Sequence, residues 1–167
     1  LDYDDATGHG TATGNVIWQD TTNDVAIFSD ELRYNKKTEY VKAIGERPYM
    51  VILLDQDSMF VSGDTLLSEK YWKSEVDSGM TVDTFRRIRV YNDVKIYKND
   101  LQGLCDSLVY TDEDSAFVLM DDPIIWSDTS QFTGDTIKVY VKNKTVDKVF
   151  QDQNALIVNS IDLVYYN

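Results

Sequence analysis

Phe60-Val-Ser-Gly-Asp-Thr-Leu66 returns later in the chain as Gln131-Phe-Thr-Gly-Asp-Thr-Ile137. Ser29-Asp30-Glu31-Leu32 and Cys105-Asp106-Ser107-Leu108 share the same kernel of a small residue, Asp, a spacer and an aliphatic residue. The physical reading is a strand that bends sharply at the small residue, where a bulky Cβ collides, and leaves with the aliphatic side chain pointing inward. An Asp at such a bend satisfies backbone N–H groups, and this accounts for Asp30, Asp64, Asp106 and Asp135 better than catalysis does. A degenerate fifth copy is expected across 158–164.

Outward from these units the chain alternates as half-buried strands do: Ile137, Val139 and Val141 against Lys138, Tyr140 and Lys142. Turn signals at Asp20-Thr-Thr-Asn-Asp24, Asn35-Lys-Lys37, Asp112-Glu-Asp114, Asp128-Thr-Ser130 and Lys142-Asn-Lys144 recur at hairpin spacing. Proline cannot donate to a sheet ladder, and the two prolines, Pro48 and Pro123, lie 75 residues apart in similar strand-like contexts. At about the same offset Asn15-Val-Ile-Trp18 falls on Asp93-Val-Lys-Ile96, and Ser29 to Tyr34 falls on Cys105 to Tyr110. The spacing predicts an internal duplication, with halves at about 14–67 and 90–141. Residues 68–84 have no counterpart of equal length and read as an excursion, with room for a short helix. The expected fold is one all-β, mainly antiparallel domain over 1–167.

Gly14-Asn-Val16, a variable hairpin, the small-Asp-x-Leu-x-Tyr unit, a strand ending before Pro and a Gly-Asp-Thr unit together resemble the OstA-like (LptA-type) domains of lipopolysaccharide transport. Phe85-Arg-Arg-Ile-Arg-Val-Tyr-Asn-Asp-Val-Lys-Ile-Tyr-Lys-Asn-Asp-Leu-Gln-Gly-Leu-Cys-Asp-Ser-Leu-Val-Tyr110 looks like the OstA-like proteins of the Bacteroides group, and the similarity runs from Gly14 to Val164. The resemblance implies an antiparallel β-jellyroll, or folded taco, of two stacked sheets in a V whose apolar interior accepts lipid A acyl chains. It implies lipopolysaccharide or lipid A as ligand and the other lipopolysaccharide transport components as partners. It further implies end-to-end association of copies and a periplasmic location, extending to association with the outer membrane. The chain starts at Leu1 without a signal-peptide pattern, so an export signal is expected to have been removed.

Composition narrows the remaining classes. Hydrophobic residues at 43% and aromatics at 12% exclude a disordered acidic tail, and the aromatic and β-branched bias favours strands. A net charge of -13 argues against nucleic acid, which needs a basic patch. No apolar run approaches the ~20 residues of a helical membrane span. The single Cys105, beside Leu104, reads as a buried inert thiol.

Catalytic constellations are missing from the pattern. A single histidine, His9, cannot form a multi-histidine metal site, and Gly8, Gly10 and Gly14 do not follow a strand and open a helix as a phosphate loop does. Carboxylates cluster at Asp2, Asp4 and Asp5, at Asp55 and Asp57, at Asp112 to Asp114, and at Asp121 and Asp122, without calcium-loop spacing. No enzyme, metal or cofactor is expected. The candidate lipid-facing residues are Val16, Trp18, Ile27, Leu32, Tyr34, Val94, Ile96, Leu108, Tyr110, Phe117, Leu119, Ile137 and Val139, and plain sandwich packing accounts for the same alternation. Arg86, Arg87 and Arg89 are candidate head-group contacts, against a solvated strand face. Two rival classes share the pattern: an adaptor domain pairing through free edge strands, and an acidic carbohydrate-binding sandwich with exposed Tyr and Trp.

Overall fold

The structure is a computed structural model that describes residues 1–22, 24–54, 57–75, 81–143 and 145–159. Among the described residues fifteen strands follow one another: β1 (Asp2–Asp4), β2 (His9–Asp20), β3 (Val25–Asn35), β4 (Tyr40–Ile44), β5 (Tyr49–Leu53), β6 (Ser58–Ser62), β7 (Thr65–Glu75), β8 (Thr81–Lys98), β9 (Leu101–Thr111), β10 (Ala116–Met120), β11 (Ile124–Ser127), β12 (Ser130–Thr133), β13 (Thr136–Lys142), β14 (Thr145–Asp152) and β15 (Leu156–Asn159). Every pairing is antiparallel, and all fifteen strands belong to one hydrogen-bonded sheet.

A line of bends folds that sheet in two. Register shifts interrupt β2 between Thr13 and Val16 and β8 between Tyr91 and Val94. Gly14 and Asn15 in the first gap, and Asn92 and Asp93 in the second, take the left-handed conformation. Asp121 and Asp122 do so between β10 and β11, as do Gln153 and Asn154 between β14 and β15. Asn and Asp tolerate this region because their short polar side chains bond locally, and such a bulge bends its strand. The carboxylate pair at Asp121 and Asp122 is therefore a bending device.

The small-Asp-x-aliphatic units lie on the same crease. A Cβ on Gly63 would come within 2.6 Å of Val90 Cγ1, the collision that the sequence reading anticipates. The aspartates act more variously than expected. The Asp30 carboxylate accepts the Glu46 N–H at 2.8 Å, as a bend aspartate should. At the other three units the Asp backbone N–H crosses to the adjoining strand: Asp64 to Tyr91 O, Asp106 to Asp121 O and Asp135 to Gln153 O.

On one side of the crease stands a first wall made of 9–13, 31–35, β4, β7, 81–91, 107–111, β10, β13 and β14. The second wall comprises 16–20, 25–28, β5, β6, 94–98, 101–105, β11, β12 and β15. β3 pairs with β4 in one wall and β5 in the other; β9 repeats this with β10 and β11. β8 spans both walls, pairing with β7 and β6, and the successive strands β14 and β15 take the same places beside β13 and β12.

One expectation fails here. The stretch 68–84 contains no helix among its described residues; instead 65–75 of β7 and 81–91 of β8 pair residue for residue as a long hairpin. Its Tyr71 ring packs on Phe85 at 5.8 Å, and Arg87 bonds Glu69 across the strands at 2.6 Å. These cross-strand pairs extend the strand structure beyond its buried base at Leu66, Ser68, Ile88 and Val90. The expected fifth copy lies mostly beyond the described residues.

Candidate functional site

Alternation sends every second side chain of each wall inward. In the first wall one inward row runs Leu32, Ala43, Leu66, Val90, Leu108, Leu119, Ile137, each opposite the next across a strand pair and each at most 2% exposed. The facing row of the second wall runs Trp18, Ile27, Met50, Val61, Ile96, Gly103, Ile125, Phe132. Most of the two rows joins a single apolar cluster, so the walls pack against each other.

Of the thirteen inner-face candidates, Ile27, Val94, Ile96, Leu108, Phe117, Leu119, Ile137 and Val139 belong to that cluster, with Trp18 and Tyr110 packed on it. Leu32 is buried outside it. Val16 and Tyr34 are half-buried and also stand apart, Tyr34 stacking on Tyr3 at 6.0 Å over the N-terminal edge. Leu66 and Cys105, expected to be buried, join the cluster too, whereas sequence reading missed Met50, Met59, Val61, Ile88, Val90 and Ile125. Carrying the alternation outward along β8 would have found Ile88 and Val90.

Away from the crease the packing loosens. Between the lips of the walls lies a cavity of about 200 Å³, lined by Val25, Ile52 and Leu54 from one side and Ile88, Tyr110, Phe117 and Val141 from the other. Arg86, Asp112, Ser115 and Asn143 form its polar rim. Ligand pockets usually measure about 300–1,000 Å³, so the closed mouth is small for a lipid tail. Cys105 sits near the crease in the apolar packing, and burial pushes its thiol up to about 12, which keeps it protonated.

The three arginines divide by the same alternation. Arg86 faces the mouth, its side chain 12% exposed, with Nε 3.1 Å from Asp20 across the walls and Nη2 3.2 Å from Glu39. Its guanidinium also lies 5.8 Å over the Trp18 ring and donates to Ser68 Oγ. Arg87 and Arg89 point from the outer face and share Glu69. Burial raises the Glu69 carboxyl, but the two guanidiniums more than offset this and leave it below the usual range.

Of the expected carboxylate clusters, Asp55 lies outside the described residues. No group of three or more His, Cys, Asp or Glu side chains converges among the described residues. No helix among them is long and apolar enough to cross a membrane.

A family model described as "LptA/(LptD N-terminal domain) LPS transport protein" matches residues 1–145. No curated protein matches the chain. Among solved structures, LptH, described as "the LptA homologous periplasmic component of the conserved lipopolysaccharide transport device from Pseudomonas aeruginosa", aligns at 13% identity and a TM-score of 0.40, over 96% of this chain and 90% of that one. With most of its length matched by that family model, the chain belongs to the LptA/LptD N-terminal domain family of LPS transport proteins.

Proposed function

We propose that this protein works in the periplasm as a non-enzymatic carrier that holds the acyl chains of lipopolysaccharide between its two walls, entering at the mouth. The observation that carries the reading is the gradient of packing: Leu66, Val90, Val94, Leu108 and Leu119 by the crease are sealed, whereas Ile52, Leu54, Tyr110 and Val141 at the mouth are half-buried around an apolar cavity fed from both walls. Parting the lips exposes apolar surface, and an acyl chain covers it again at about 25 cal/mol per Å². Arg86 at the rim is the head-group contact in this reading, because it is the cation that faces the cavity. Arg87 and Arg89 point from the outer face, away from it.

The same reading treats the chain as one domain of repeated halves whose free edges, β1 with β2 and β14 with β15, join copy to copy or to other transport components. Exposed Leu156, Ile157 and Val158 on β15 favour such pairing. A photo-crosslinking residue at Phe117 should capture lipopolysaccharide, while the same residue at Val118, its outward neighbour, should not. Equal capture at both positions refutes the interior site.

A further inference from the structure

The second wall is apolar on its outer face as well as its inner one. Half-buried antiparallel sheets normally turn a polar face to water, as the first wall does with Arg33 beside Glu31 and Arg87 beside Glu69. The outward ladders of the second wall instead carry Phe28, Tyr49, Phe60, Tyr97, Leu104 and Trp126 across six strands. Phe28 and Tyr49 stack at 4.7 Å, and Tyr49, Phe60, Tyr97, Leu104 and Trp126 are 37–51% exposed. Among the described outward strand positions of this wall Lys95 is the one charged side chain, in a chain with 45 charged residues (16 basic and 29 acidic).

Depletion of charge with enrichment of Tyr, Trp and Phe is the composition of an interface core. We propose that this outer face docks against the same face of a second copy, wall against wall, around a two-fold axis. Its extent fits: nine strands about 4.8 Å apart, each presenting about five residues of ~3.4 Å rise, make a face on the order of 700 Å², near the ~800 Å² that each partner contributes to a standard interface. Charge fits too. At a net charge of -13 two copies repel through most of their surface, and the outward strand positions described for this face bring no carboxylates together. Lys95 and Arg47 both neighbour Asp93, and together with Tyr49, Phe60, Ser62 and Tyr97 they line a hollow of about 420 Å³ that can take a partner's ring. An isologous contact of this kind closes on itself, unlike edge pairing.

Sedimentation equilibrium of the full chain gives the test. The expected result is a dimer that strengthens with added salt, because screening relieves the mutual repulsion. Phe60→Glu and Tyr97→Glu should each weaken it by at least about tenfold, while Lys42→Glu on the outer face of the first wall should not, and lipopolysaccharide binding should be unchanged. A monomer at every concentration and salt, or a dimer indifferent to Phe60→Glu and Tyr97→Glu, overturns the proposal. Should those variants fail to fold, amine cross-linking of the wild type decides: a Lys95 to Lys95 link between copies supports the interface, and its absence from a cross-linked dimer refutes it.

Discussion

Leu108→Asp and Ile52→Asp separate the sealed crease from the working mouth. Leu108 is fully buried between Val90 and Leu119 in the first-wall ladder. Removing such a side chain to Ala costs about 2–5 kcal/mol, and a carboxylate in its place adds several kcal/mol of desolvation. The sum rivals the whole net stability of a domain, about 5–15 kcal/mol, so Leu108→Asp should unfold at ambient temperature, and Ile137→Asp with it. Ile52 lines the mouth cavity and is half-buried, so a carboxylate there can reach water. At about 2–4 °C of melting temperature per kcal/mol, Ile52→Asp should lower the transition by only a few degrees. Its charge would nevertheless face an incoming acyl chain and should weaken lipopolysaccharide binding by tenfold or more. Circular dichroism melts and fluorescence binding of lipopolysaccharide read the two quantities apart. A Leu108→Asp protein that melts like wild type refutes the sealed crease; a folded Ile52→Asp protein that binds lipopolysaccharide undiminished refutes the mouth.

Three further outcomes are expected. Asp20→Asn breaks a largely buried cross-wall ion pair with Arg86 and should destabilise by about 3 kcal/mol, the low end for buried pairs, measured by urea unfolding. Cys105, with its thiol near 12 and buried, should resist iodoacetamide at about pH 8 until denaturant is added; fast labelling of the native protein contradicts the packing. The Glu113 carboxyl is held low by Lys73 and by the Tyr71 hydroxyl, and Glu69 is held low by Arg87 and Arg89 despite its burial. Because their folded values lie below the unfolded ones, their contribution is present above the usual carboxylate range and lost as pH falls through it, so the melting temperature should drop on acidification from about pH 7 to about pH 3.

The bends were legible because they need special residues. Ser29-Asp30, Gly63-Asp64, Cys105-Asp106 and Gly134-Asp135 all fall on the crease, and the aliphatic residue after each is at most 2% exposed. The hairpin of β7 and β8 was not legible: Tyr71-Trp-Lys offers apolar groups to both faces, and its pairing rests on cross-strand partners such as Phe85 and Arg87 that no local pattern announces. The split of Arg86 from Arg87 and Arg89 follows from strand alternation alone and could have been read. Closure of the interior could not, since whether Ile27, Met50 and Val61 meet the opposite wall depends on the angle at the crease, a sum of several left-handed residues. For the same reason the outer aromatic residues were invisible as a face until Tyr49, Phe60, Tyr97 and Trp126 were brought side by side by register.

Holding an acyl chain between the walls, as proposed, requires the lips to part. Spin labels at Leu53 on the second-wall lip and Asp114 on the first, both exposed, report the width of the mouth by pulsed dipolar spectroscopy, while buried Cys105 stays unlabelled. On adding lipopolysaccharide the distance should lengthen by several Å, and Ile52→Asp should abolish the change. A distance that stays fixed while lipopolysaccharide is bound would contradict the account.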